Sequence, residues 1–192
     1  MTVALVLDFP GGTKQEYDAV VDRMQLGGRM APGGLVHAAG SYDGGWRVID
    51  VWEDLESFER FREEQIVPHT RAVGLAPPRV RVIEVDEDKG GSGERPVLVQ
   101  CVILPGLDRA AFAAADDEVV AEGMPEEITF HVNGPLDDGW CVVDGWSSKE
   151  ARDRFAESRI EPAFRDAPLQ GPPRTEDLVV QVTMPAGAPA HA

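Results

Sequence analysis

The chain has 192 residues, with 34 Asp and Glu against 18 Lys and Arg, a formal net charge of −16. That balance argues against nucleic acid as a partner, because phosphate neutralisation needs clustered Lys and Arg, and equally against anionic membrane surfaces. No run of 18 apolar residues exists to span a bilayer, and the length suits one domain or two small ones.

In chain order, Met1-Thr-Val-Ala-Leu-Val-Leu-Asp8 lacks a basic leader and reads as a strand rather than a signal peptide. Val3 to Phe9 is that strand, closed by the turn residues Pro10-Gly-Gly. Thr13 and Glu16 have capping-box spacing, and Tyr17, Val20, Val21 and Met24 follow at helical spacing. Leu35 to Ser41 and Trp46 to Trp52 flank Tyr42-Asp-Gly-Gly45, a hairpin signal. Asp54 caps a second helix with an apolar face of Leu55, Phe58, Phe61 and Ile66, expected to stop at Pro68. Val80 to Val85 is a further strand. The order β-α-β-β-α-β is that of a ferredoxin-like unit.

Residues 87–96 are charged and Gly-rich, and read as a linker. The order then repeats: Val97 to Leu104, a helix from Asp108 to Glu122, Ile128 to Val132, Trp140 to Trp146, a helix from Ser148 to about Phe164, and Asp177 to Met184. Ser147 and Glu150 are read as a second capping box. The expected domains are 1–86 and 97–184, with a Pro/Ala/Gly-rich tail, 185–192, that frays.

The residues repeat as well as the elements. Gly45-Trp-Arg-Val-Ile-Asp-Val-Trp52 returns 94 residues later as Gly139-Trp-Cys-Val-Val-Asp-Gly-Trp146. Glu56, Arg60, Phe61, Glu63, Ile66 and Pro68 are answered by Glu150, Arg154, Phe155, Glu157, Ile160 and Pro162, and His37 by His131. The period is too long for a solenoid and reads as a tandem duplication. Each half buries a limited core, so the bare sheet faces of the two halves are expected to pack against each other.

The strand order, with Val51-Trp-Glu leading into Glu56-Ser-Phe-Glu-Arg-Phe61, resembles the dimeric α/β-barrel superfamily, and within it the antibiotic-biosynthesis-monooxygenase-like group. The resemblance covers nearly the whole chain as two fused copies. It implies an α+β fold of two ferredoxin-like units packed sheet to sheet as an intrachain barrel, with a cavity for a small aromatic or polyketide-like molecule. Activities across the superfamily run from cofactor-free oxygenation, cyclisation and isomerisation to haem degradation and no catalysis, so the fold does not settle function.

The turn fixes a register. With Asp43-Gly44 as a two-residue turn, His37 falls opposite Asp50, on the sheet face that carries Trp46, Val48 and Trp52. Ile49 and Val51 are expected to point towards the helices. A turn at Asp137-Asp138 sets His131 opposite Asp144, beside Trp140 and Trp146. A carboxylate beside an imidazole fixes its tautomer and favours a general base; the same pair can also simply brace a half-buried sheet.

Tyr42, Arg47 and His69 have no counterparts in the second half (Pro135-Leu136, Cys141 and Ala163) and are candidate substrate-binding groups there, or else rim and surface side chains. His191 lies in the tail and is set aside. Cys101 and Cys141 sit inside strands without metal spacing and are expected to be buried and reduced. Walker, dinucleotide and nucleophile-elbow patterns are absent. A metal site would require His37 and His131, with their aspartates, to converge; neither metal nor cofactor is expected.

The sequence therefore predicts a cytoplasmic, cofactor-independent enzyme, a monomer or weak homodimer, acting on a hydrophobic aromatic or polyketide-type metabolite. The expected chemistry is His–Asp general-base proton abstraction of cyclase or isomerase type, with the tryptophans walling the cavity. A cofactor-free monooxygenase and a non-catalytic binding protein are the alternatives. The first half, with the fuller set of nearby polar groups, is expected to dominate.

Overall fold

The strand–helix–hairpin–helix–strand order is realised twice in the computed structural model of the protein, which describes residues 1–190. The fold is α+β, with two antiparallel five-stranded sheets. The chain divides into two units, one from Met1–Glu84 with the C-terminal stretch from Leu178, the other Val85–Asp177.

In unit 1, β1 (Val3–Pro10) leads to α1 (Lys14–Met24), the hairpin β2 (Gly34–Tyr42) and β3 (Gly45–Trp52), and β4 (Arg79–Glu84). The sheet order is β10-β2-β3-β1-β4, with β10 (Val182–Thr183) coming from the C-terminal stretch. Thr13 caps α1 through a full capping box with Glu16. Asp54 caps α2 (Leu55–Phe61), accepting from the Ser57 N–H at 2.8 Å.

The second helix does not stop at Pro68. It passes through a π turn, Arg62–Ile66, into α3 (Val67–Val73). Proline would clash with the carbonyl four residues back. The widened turn, in which the Val67 N–H reaches the Arg62 carbonyl, carries the helix past that point. Unit 2 repeats this before Pro162: α5 (Lys149–Phe155), a π turn at Ala156–Ile160, then α6 (Glu161–Phe164).

Unit 2 comprises β5 (Glu87–Gly90), β6 (Leu98–Pro105), α4 (Arg109–Val119), β7 (Ile128–Leu136), β8 (Gly139–Trp146), α5, α6 and β9 (Arg174–Val179), with sheet order β5-β7-β8-β6-β9. Its second helix, α5, is capped by Ser148, whose hydroxyl accepts from the Ala151 N–H. Ser147, expected in that role, donates to the Glu127 carbonyl instead.

Gly45 and Gly139 recur for a steric reason. A Cβ at either would stand 2.1 Å from the Phe9 carbonyl oxygen or 2.2 Å from that of Leu104.

The segment expected to be a linker begins with β5, which pairs with β7. The tail expected to fray is also held. β10 (Val182–Thr183) pairs with β2. The Met30 N–H donates to Pro185, Gly33 to Ala188, Gly187 to Gly34, and the Ala190 N–H to the Glu53 carboxylate. Gly187 sits so close to the Ala31 carbonyl that a Cβ would lie 1.9 Å from its oxygen. A charged, Gly-rich composition in the one segment and a Pro/Ala/Gly-rich one in the other concealed these pairings, which are made through backbone groups. His191 lies outside the described residues. A chain ending at Val179 is expected to lose this cover, and acrylamide quenching of tryptophan fluorescence should rise; unchanged quenching would contradict the strap.

Register matches expectation in both hairpins, with His37 opposite Asp50 and His131 opposite Asp144. The face is reversed. Trp46, Val48 and Trp52 pack with Tyr17, Phe58 and Ile66, in the layer between sheet and helices. Ala4, Val6, Ala38, Ile49 and Val51 occupy the other face and are also buried, none above 2% exposed. Turn parity fixes which residues pair but not which face meets the helices. With both faces buried, the apolar run Val48-Ile49-Asp50-Val51-Trp52 carries no alternation to decide it.

Candidate functional site

In unit 1 the hairpin places His37 Nδ1 2.7 Å from Asp50 Oδ1. The opposite ring nitrogen, Nε2, lies 2.7 Å from the Tyr17 hydroxyl, which α1 delivers. The carboxylate can only accept from Nδ1–H, so Nε2 is left to accept the Tyr17 proton. His37 and Asp50 are 9% and 4% exposed. Asp50 takes a further, longer contact from Trp52 Nε1 at 3.4 Å. Burial raises the Tyr17 pKa well above the usual phenol range, and the charges of Asp50 and Asp18 add to the rise. Tyr17 is therefore a neutral hydrogen-bond donor rather than a standing phenolate.

These groups open on a cavity of about 60 Å³ lined by Leu7, Tyr17, His37, Trp46, Trp52 and, among others, Met24, Met30 and Met184. The volume is far below the ~300–1,000 Å³ of common ligand sites. Three methionines in its wall are flexible, unbranched gap-fillers.

Unit 2 has the same pair and a different environment. His131 Nδ1 is 2.6 Å from Asp144 Oδ1. Its Nε2 faces the Asn133 amide nitrogen at 3.1 Å, and Asn133 Oδ1 accepts from Trp140 Nε1 at 3.0 Å. Burial alone would lower the His131 pKa, but the Asp144 carboxylate outweighs it and the net shift is upward. Trp140 fixes the Asn133 oxygen and so turns its amide N–H towards Nε2. β5 adds Lys89, whose ammonium lies 2.7 Å from Asp116 and 3.1 Å from Glu87. Arg152, at the position of Phe58, is tied to Asp177 at 3.0 Å, and Asp177 also accepts from Gln100 at 3.0 Å.

Tyr17 and Asn133 are the site residues that sequence reading missed. Tyr17 is the fourth residue of α1, as Phe112 is of α4. Their rings pack alike, 5.2 Å from Trp46 and 5.1 Å from Trp140. The offset there is 95 residues instead of 94, which hides the comparison, and helical spacing placed Tyr17 simply on an apolar face. Asn133 lies one residue beyond the strand expected at Ile128 to Val132 and falls inside β7.

Three expected binding residues lie elsewhere. Arg47 is on the opposite sheet face from Trp46, bonded to Asp8 at 2.6 Å and set 4.8 Å from the Tyr42 ring centroid. His69 is half-buried on α3 and does not line the cavity. Cys101 and Cys141 are buried, with their sulfurs 3.3 Å apart. Both ring nitrogens of His37 and of His131 are already engaged, and no cluster of three or more His, Cys, Asp or Glu among the described residues is placed to hold a metal. No helix among the described residues is long and apolar enough to cross a membrane.

No protein-family profile and no curated protein matches the chain. Solved structures do match along nearly its whole length. A candidate monooxygenase from Fusobacterium nucleatum superposes with a TM-score of 0.70 at 15% identity, covering 97% of this chain and 95% of the other. An anthrone oxidase-like protein gives 0.54 at 17% identity, covering 100% and 96%. A mutant chlorite dismutase from Candidatus Nitrospira defluvii gives 0.60 at 13% identity, covering 94% and 91%. Likeness at such identity establishes the fold alone, and chemistry has to be argued from the site.

Proposed function

We propose that unit 1 is a cofactor-independent enzyme acting on a hydrophobic carbon acid, an aromatic or polyketide-type metabolite, by proton abstraction and reaction of the resulting carbanion with dioxygen. The observation that carries the reading is the buried Tyr17–His37–Asp50 chain, with both hydrogen bonds at 2.7 Å, ending on an apolar cavity. The Tyr17 oxygen takes the substrate proton as its own passes to His37 Nε2, and Asp50 stabilises the imidazolium that forms. The carbanion then reduces dioxygen, so that one oxygen atom enters the product and the other leaves as water. The two electron pairs involved come from the substrate itself.

The structural likeness to a candidate monooxygenase and an anthrone oxidase-like protein supports the oxygenase branch over cyclisation or isomerisation. The internal repeat supports descent by duplication, with unit 2 keeping the dyad as a brace. Substrates larger than the cavity are admitted by movement of Met30 and Met184.

The test uses 2-tetralone as a hydrophobic carbon acid. The wild type is expected to consume oxygen and form the 1,2-dione in air, and to form no dione under nitrogen. An isomer or ring-closed product formed equally in both atmospheres would contradict oxygenation. Binding without turnover would contradict catalysis.

A further inference from the structure

Trp46 lines the cavity and is 2% exposed, yet no described residue accepts its Nε1–H. A buried donor without a partner carries a desolvation penalty, so such groups are rare and call for a partner. Unit 2 shows what satisfies the equivalent donor. There Trp140 Nε1 donates to Asn133 Oδ1. Asn133 stands opposite Val142 in its hairpin, as Ala39 stands opposite Val48. At this position the two halves differ by one carboxamide. In unit 2 it bridges the tryptophan N–H and the histidine Nε2; in unit 1, where alanine stands, the Tyr17 hydroxyl takes His37 Nε2 and the Trp46 N–H is left for a guest.

The carboxamide also indicates what the guest is. Its O=C–N–H has the shape of the O=C–C–H of a ketone with a hydrogen on the adjacent carbon. We propose that the unit 1 cavity binds an enolisable ketone, with the carbonyl oxygen accepting from Trp46 Nε1 and the neighbouring C–H directed at Tyr17 and His37. This pose rests on the proton-abstraction reading of unit 1 and names its substrate class. As the C–H proton moves to the Tyr17 oxygen, the electron pair left on carbon delocalises to the carbonyl oxygen. Trp46 N–H is then a fixed donor aimed where negative charge develops. Removing one such donor from a preorganised site typically costs about 10²- to 10³-fold in turnover. Ala39 is the specificity-determining position, because asparagine there reproduces the internal ligand of unit 2.

The experiment uses 2-tetralone under nitrogen with ¹⁵N-labelled protein, reading the four indole N–H signals and deuterium exchange into the ketone in D₂O. On adding ketone, the Trp46 indole signal should move downfield in the wild type and in His37→Ala. Exchange should be catalysed by the wild type only. Trp46→Phe keeps the ring packing, and should stay folded while exchange falls about 10²-fold or more. Ala39→Asn should shift the Trp46 signal without ketone and abolish both the ketone response and exchange. A ketone that perturbs His37 while the Trp46 signal stays still would overturn the pose and leave the base chemistry standing. A Trp46 response with no wild-type exchange would uphold the oxygen site and overturn the base chemistry. No response of either kind to the ketone would overturn the substrate class.

Discussion

Replacing Tyr17 with Phe is expected to lower turnover by about 10²- to 10⁴-fold, the usual contribution of a positioned proton-transfer group, or roughly 3–5 kcal/mol on the barrier. The variant gives unit 1 the side chain that unit 2 already carries as Phe112. The ring therefore still packs on Trp46, as Phe112 does on Trp140. What disappears is the 2.7 Å bond to His37 Nε2 and with it the route by which a proton reaches the imidazole. Stability should fall only by about 1–3 kcal/mol, the cost of leaving one buried partner unsatisfied. Single-turnover measurements beside a denaturation curve separate the two effects. Wild-type turnover in the variant would remove Tyr17 from the proton path.

The second large effect is on packing. Phe58 is fully buried, with its ring 5.8 Å from that of Trp52, and it anchors the capped end of α2 against the sheet. Phe58→Ala should destabilise unit 1 by about 3–5 kcal/mol, as buried aromatic truncations do. Chemical denaturation reads this directly, and a loss below about 1 kcal/mol would show that the layer holding the site is not packed as described. The equivalent position in unit 2 is Arg152, tied to Asp177 at 3.0 Å. The same point in the fold is held by packing in one half and by an ion pair in the other.

Much of this was legible in the sequence. The element order, the caps at Thr13 and Asp54 and the pairing of His37 with Asp50 follow from local turn and capping chemistry, which acts over a few residues. What was hidden depends on distant partners. Nothing local in Glu87-Asp-Lys-Gly90 or in Val182-Thr183 announces a fifth strand, because both short segments pair through backbone groups supplied by remote strands. The face carrying His37 could not be read from a strand buried on both sides. Tyr17 was concealed by a one-residue change of offset between the two halves. Arg47 looked like a binding residue because it lacked a counterpart, and its counter-ion, Asp8, lies 39 positions away.

Whether the first dyad acts while the second braces is tested most directly by 2-tetralone oxidation by His37→Ala and His131→Ala, measured side by side in air. His37→Ala should lose about 10²- to 10⁴-fold in rate while remaining folded, and His131→Ala, though less stable, should turn over like the wild type wherever it is folded. Wild-type turnover in His37→Ala, or loss in folded His131→Ala alone, would contradict that division of roles.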